Sequence, residues 1–483
     1  MELILGVAFA LPKSRFLILT FSQGVDMDPI LYWNDVALEV HRRDFSFPQD
    51  AEGNIITPQQ GGPTRTSRAL AIVHIAMYDA WNGAKATGKQ YLGGTGLPPL
   101  PPAPPAGTSP EAAVAGAATT TLKALFSNQA DYIEERMLNF CATGLPTGSS
   151  APTAAQISHG IEYGRDVAVI LLAFRDGDGW DAPEAYVAGG APGDHRPDPY
   201  GPHQGYLGPK WGEVKPFCVT FGPLDINEYL DAPPLFTSAK YKKDFIEVRD
   251  HGAAERRSRS AKQEVTGLYW GYDGAKGLGT PPRLYNQIVR VIAQKQGNTV
   301  DQNARLFALI HAGMADASIV AWRAKYHYNL WRPVIGIRED DAGTGPTGLG
   351  TESTAKGDPF WEPYGAPNSN RSGTKNFTPP FPAYPSGHAT FGTTVFDLVR
   401  RFYNVMDDDS FTFDFVSDEL NGKTVDIDGS VRTYIKRTYT LDKAIEDNLE
   451  SRVWLGVHWR FDGEGGKKAG EKVAAKVFTG FFM

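Results

Sequence analysis

Cysteine is nearly missing from this chain: Cys141 and Cys218 are the only two in 483 residues. They can close one bridge at most and cannot build a thiolate metal cluster, so a disulfide scaffold and a cysteine-ligated metal are both excluded. A surplus of basic charge is missing as well. Lys and Arg number 48 against 55 Asp and Glu, a net charge of −7, which leaves no electrostatic footprint for a nucleic acid and excludes one as an expected partner. The N-terminal apolar runs within Met1–Pro12 and Phe16–Phe21 are both too short to span a membrane, and no membrane is expected. Strand signals are scarce too: only Lys423–Thr438 reads as room for a short hairpin, and no repeat is visible. Glycine (52) and proline (35) are plentiful and predict long irregular connections.

What remains is helical periodicity, which makes the expected class all-α. Residues 1–26 read either as a poorly formed secretory signal or as an upstream extension, because Met27 opens a more convincing start. Helical spacing runs over Leu31–Arg43, Ser67–Trp81, Glu111–Phe140 (one or two helices) and Thr153–Arg175. His74 within the second run reads as a satisfied core residue. The proline-rich stretch 96–110 predicts an extended arm. Asp176-Gly-Asp-Gly-Trp-Asp181 starts like a calcium loop, but its twelfth position is Val187 where a bidentate glutamate is needed, so it reads as a turn. Residues 182–237 read as an irregular excursion over the surface. Further helices are expected at Lys240–Arg249, Ala253–Trp270, Pro282–Gln294 and Asn303–Tyr328.

Three stretches carry chemistry. In the first, Lys325 and Arg332 are seven residues apart, two helical turns, so a continuous helix would present both on one stripe with Trp322 a turn before. Pro333 is expected to stop that helix at Arg332. Two cations with no obvious carboxylate between them suit an anion, or else form a solvated basic face. In the second, Pro385-Ser386-Gly387-His388 precedes a helix-competent run from Ala389 to Arg401. Ser386 can donate to an oxyanion, Gly387 lets it approach the backbone amide, and His388 can move a proton. Alone, this stretch is equally a turn that caps a helix. In the third, Arg452 and His458 flank Gly456, expected to end a helix and turn His458 back. Asp462 is placed to accept from one imidazole nitrogen, leaving the other free as nucleophile or ligand. Together, three cations, N–H donors and two imidazoles suit a tetrahedral oxyanion.

In that order, Lys-x6-Arg-Pro, Pro-Ser-Gly-His and Ser-Arg-x5-His-x3-Asp resemble the type-2 phosphatidic-acid phosphatase and vanadium haloperoxidase superfamily. Thr280–Arg290, Phe381–Gly392, Leu455–Asp462 and Leu31-Tyr-Trp-Asn with Ser67-Arg-Ala-Leu are similar to the vanadium-dependent haloperoxidases, the chloroperoxidase-like branch above all. The resemblance implies two stacked helical bundles in one compact unit, 27–240 and 241–483, with the site in the second. It implies a vanadate cofactor, whose pocket phosphate also fits. His458 would ligate the metal, and Lys325, Arg332, Ser386, Gly387 and Arg452 would hold the oxygens. His388 would act as acid–base and Lys325 would polarise peroxide. Trp322 and Phe381 would shape a halide pocket, with Asp273 the partner of Arg452 and Asp462 that of His458. Hydrogen peroxide, halide and a small organic acceptor are the implied partners, with bromide the easier ion to oxidise and chloride open, and a homo-oligomer is expected. The rival reading is a soluble acid phosphatase with His458 as nucleophile and His388 as general acid. Against it, Pro385 follows Arg332 by fifty-three positions, room for a substantial loop over the pocket. A non-catalytic helical scaffold would leave the three matched motifs to coincidence.

Overall fold

Helix starts in this chain are set by side-chain caps and by proline. Asp28 accepts from Leu31 N ahead of Pro29, and Ser109 accepts from Ala112 N ahead of Pro110. Thr153, Ser260 and Thr299 form capping boxes with Gln156, Gln263 and Gln302. Each cap satisfies N–H groups that an uncapped helix would leave open. The computed structural model describes residues 27–47, 55–183, 185–219, 224–255, 258–340 and 356–480. The expected signal or extension at 1–26, and residues 341–355 of the loop before Pro385, lie outside the described residues.

The chain is all-α. The first half supplies α1 (Pro29–Asp44), α2 (Gly62–Lys85), α3 (Pro110–Leu125), α4 (Ala130–Thr143) and α5 (Ala154–Asp176). The second supplies α6 (Ala239–His251), α7 (Ala261–Tyr269), α8 (Pro281–Gln296), α9 (Val300–Tyr328), α10 (Pro333–Glu339), α11 (Gly387–Tyr403), α12 (Leu441–Trp454) and α13 (Arg460–Gly480). α2 packs against α3 and α5 of the first half and against α9 of the second, so it links the two. One apolar core runs from Ile30 to Val477 across both. α9 is long and apolar enough to cross a membrane, but 94% of its apolar window is buried inside the fold. It is the central core helix.

Three expected elements differ. The helix read over Ala253–Trp270 starts only at Ala261. Ala254 N instead donates to Glu362 O and Arg259 turns back on the His251 and Ala253 carbonyls. The hairpin expected within Lys423–Thr438 holds only an isolated bridge, Val425 to Val431. The strand that does form, β2 (Lys436–Tyr439), pairs antiparallel with an unread strand, β1 (Phe413–Val416). The excursion 182–237 is irregular but not only a cover, since Trp211, Phe217 and Tyr229 enter the core. Asp316 of α9 holds it there by accepting from the backbone N–H of Phe217, Cys218 and Val219 at 2.6–2.8 Å. Cys141 and Cys218 are both free.

The turn read at Asp176–Asp181 has a structural job. Buried Asp178 pairs with Arg68 at 2.8 Å and Arg175 at 2.7 Å. Asp178→Ala leaves two buried guanidinium groups short of their counter-charge. We expect a loss of about 3–5 kcal/mol of stability, read as a lower denaturant midpoint.

Candidate functional site

Helix α9 ends short of Arg332. Asn329 adopts a left-handed conformation (φ 50°) and its N–H closes on Lys325 O at 2.9 Å. An extended segment follows, and Pro333 opens α10 with Arg332 at the N-cap. Lys325 and Arg332 therefore do not share a helix stripe as the spacing predicts. They meet because the chain reverses between them: Lys325 Nζ lies 5.0 Å and Arg332 Cζ 4.9 Å from the Phe381 ring centroid. The segment is pinned by the 182–237 excursion. Asp194 bridges Leu330, and His195 N donates to Asn329 O at 2.9 Å.

Both cations are fully buried. Lys325 Nζ donates to the carbonyls of Pro382 (2.9 Å), Ala383 (3.0 Å) and Pro385 (2.5 Å). Burial and Arg332 push its proton affinity well down. Three carbonyl acceptors oppose that, because only an ammonium has three protons to give them. Arg332 Nε donates to Phe381 O at 2.8 Å and Nη1 to Val457 O at 2.8 Å, while buried Nη2 has no partner.

Ser386 is the N-cap of α11, and its own N–H donates to Asp462 O at 2.8 Å, which ties α11 to the start of α13. Gly466 permits this: a Cβ there would lie 2.7 Å from Ser386 O. Gly387 is the first helical residue, so its N–H has no intrahelical acceptor, and its Cα hydrogens face the Trp322 ring. A Cβ at Gly387 would stand 3.4 Å from that ring. Trp322 in turn packs on Phe381 with centroids 4.8 Å apart.

The two imidazoles are in fixed and different states. His458 Nε2 lies 2.9 Å from Arg332 Nη1, which can only donate, so Nε2 carries a lone pair. Nδ1 therefore holds the proton and donates it to Asp462 Oδ2 at 2.9 Å. Burial, then the charges of Arg332, Lys325 and Arg452, hold this ring neutral far below its ordinary value. Burial pushes the Asp462 carboxyl up, and Lys325 and Arg332 pull it back. Gly456 ends α12 with φ 71° and turns His458 into place, as the spacing predicts. His388 is the mirror case. Nε2 lies 2.7 Å from Gly271 O, which can only accept, so Nε2 holds the proton and Nδ1 the lone pair. Burial and Arg452 push this ring down to about 4. Arg452 is clamped by Asp273 at 2.6 and 3.1 Å, and its buried Nε has no partner.

The structure thus brings every predicted site residue together. Sequence reasoning missed the backbone acceptors, which no residue type announces, and also Tyr285 and Asn448. These two donate to His388 O at 3.0 and 2.8 Å and hold the turn beneath the ring. Among the described residues no cluster of three or more His, Cys, Asp or Glu side chains forms a cation site. The imidazole lone pairs of His458 and His388, three cations and unpaired N–H groups on Arg332 and Arg452 fit a metal oxyanion instead.

Family models match at both ends of the chain. The vanadium chloroperoxidase N-terminal domain matches residues 24–204, and the vanadium chloroperoxidase second helical-bundle domain matches 305–481. The vanadium chloroperoxidase of Curvularia inaequalis is 32% identical over 520 aligned positions, covering 90% of this chain and 78% of that protein. In fold, the chain is similar to a crystal structure described as the first bacterial vanadium-dependent iodoperoxidase. The TM-score is 0.71 at 20% identity, covering 95% of this chain and 98% of that one. A holo-type bacterial vanadium-dependent chloroperoxidase gives 0.59 at 18% identity, with 90% and 96% covered.

Proposed function

Because the chain belongs to the vanadium haloperoxidase family, we propose that it uses hydrogen peroxide to oxidise a halide. Peroxide, halide and a proton give hypohalous acid and water, and the hypohalous acid halogenates a small organic acceptor. Bromide is the proposed halide, as the more easily oxidised ion, with chloride the next candidate.

Vanadate is the cofactor that the family implies, and the donor set fits it. In this reading His458 Nε2 ligates the metal. Arg332 Nη2, Arg452 Nε, the Gly387 N–H and the Ser386 hydroxyl would hold the oxygens, and Lys325 would add its charge. The bound group supplies a Lewis-acidic centre that keeps its oxidation state. The chain's residues do the rest. His388 takes a proton at Nδ1 and returns it. Lys325, fastened by three carbonyls, keeps its charge where peroxide must be polarised. Trp322 and Phe381 exclude water from the halide side.

The observation that carries this reading is the His458 lone pair, held at Nε2 by the Asp462 contact and directed into a cage of cations. The test is direct. Apo protein receives orthovanadate, hydrogen peroxide and bromide or chloride, and halogenation of a dione reporter is followed; phosphate release from an aryl phosphate is measured in parallel. Vanadate-dependent halogenation is expected. Vigorous phosphate release without it would overturn the reading in favour of the phosphatase.

A further inference from the structure

One turn serves two groups of the site at once. Gly271 O receives the His388 Nε2 proton, and two residues on Asp273 clamps Arg452. Between them Tyr272 is buried with φ 59°, in the left-handed region that a side chain disfavours. A residue stays there only where its surroundings over-determine it.

Those surroundings belong to neither motif. Glu419 Oε1 accepts from Tyr272 N at 3.0 Å. Its Oε2 accepts from Ser369 Oγ and Arg432 Nη1, both at 2.5 Å, so the carboxylate is itself fixed. The Tyr272 hydroxyl donates to Gln287 Oε1 at 3.0 Å and accepts from Asp418 N at 2.7 Å. Gly271 leaves room for this clasp: a Cβ there would lie 2.6 Å from Glu419 Oε1.

We propose that Glu419, together with the Tyr272 hydroxyl, is a positioning device that locks the Gly271–Gly274 turn, and through it sets both the tautomer of His388 and the direction of Arg452. The proposal rests on the roles given above to those two residues. Glu419 touches neither of them, so it acts only through the turn. A loosened turn would let the Gly271 carbonyl leave His388 Nε2, freeing the proton to occupy either nitrogen. It would also let Asp273 release the Arg452 fork.

Wild type, Glu419→Gln and Tyr272→Phe are compared by three measurements. Thermal melts report folding. Nuclear magnetic resonance of 15N-labelled histidine reports ring tautomers, with His388 assigned by its absence in His388→Ala. Titrations with orthovanadate and with inorganic phosphate report anion affinity. The wild-type His388 should show the Nε2–H form. Glu419→Gln should show a mixture of forms and a dissociation constant raised about ten- to a hundredfold for both anions. Tyr272→Phe, the gentler change, should shift both readouts the same way by less, and it carries the test where Glu419→Gln fails to fold. An unchanged tautomer and affinity in a folded variant, or a loss confined to melting temperature, overturns the proposal. Failure of wild-type halogenation would overturn the peroxidase reading instead, while the tautomer and affinity data would still decide the positioning role.

Discussion

His458→Ala is expected to abolish vanadate binding at micromolar concentrations. The substitution removes the unprotonated Nε2 that faces Arg332 in the cage, and it leaves Asp462 Oδ2 with the Trp459 N–H as its remaining donor. Arg332 loses an acceptor and keeps its charge. We expect affinity to fall at least about a thousandfold, roughly 4 kcal/mol, measured by calorimetric titration of orthovanadate. Asp462→Asn separates the lone pair from the ring itself. An amide can turn its NH2 toward Nδ1 and drive the proton to Nε2, placing a donor where a ligand is required. That variant should lose about ten- to a hundredfold. Equal affinity in wild type and His458→Ala would remove the ligand assignment.

His388→Ala should behave in the opposite way. It should retain vanadate, because no contact of the cage donors passes through this ring, and lose turnover by about two to four orders of magnitude, the usual worth of a positioned acid–base group. The ring is suited to that role by its surroundings. Burial and Arg452 hold it neutral down to about pH 4, so above that Nδ1 is an available base. Negative charge gathered in the cage opposes Arg452 and raises its proton affinity toward working pH. Turnover should therefore fall as acid protonates Nδ1, and this acid limb should vanish in His388→Ala. Comparable turnover in the two proteins, at matched vanadate occupancy, would remove His388 from the chemistry.

The cage was legible in the chain because its charged members sit in three short runs whose spacing matches one family pattern. Its geometry was only partly legible. Lys325 and Arg332 look like neighbours on one helix, and the pattern offers no hint that Asn329 breaks it, since a left-handed asparagine leaves no periodic trace. Gly456 was readable, because a glycine after an apolar helix has few other uses. What holds Lys325 was not readable: its three acceptors are carbonyls of Pro382, Ala383 and Pro385, and every residue has a carbonyl. The fold class followed from periodicity, whereas strand pairing failed where β2 chose a partner, β1, whose paired residues lie 20 to 26 positions upstream. Register between distant segments is decided by packing, which local sequence does not record.

The bridge from Asp194 to Leu330, with the His195 N–H on Asn329 O, has a consequence for how the chain can be divided. Every charged member of the cage lies beyond residue 240, so the second half looks like a self-sufficient catalytic module. Yet the reversal that brings Arg332 beside Lys325 is braced by backbone from the first half. The two halves are not exchangeable parts: a graft of the second half onto another partner would carry every charged residue of the cage and lose the splint that keeps two of its cations in register.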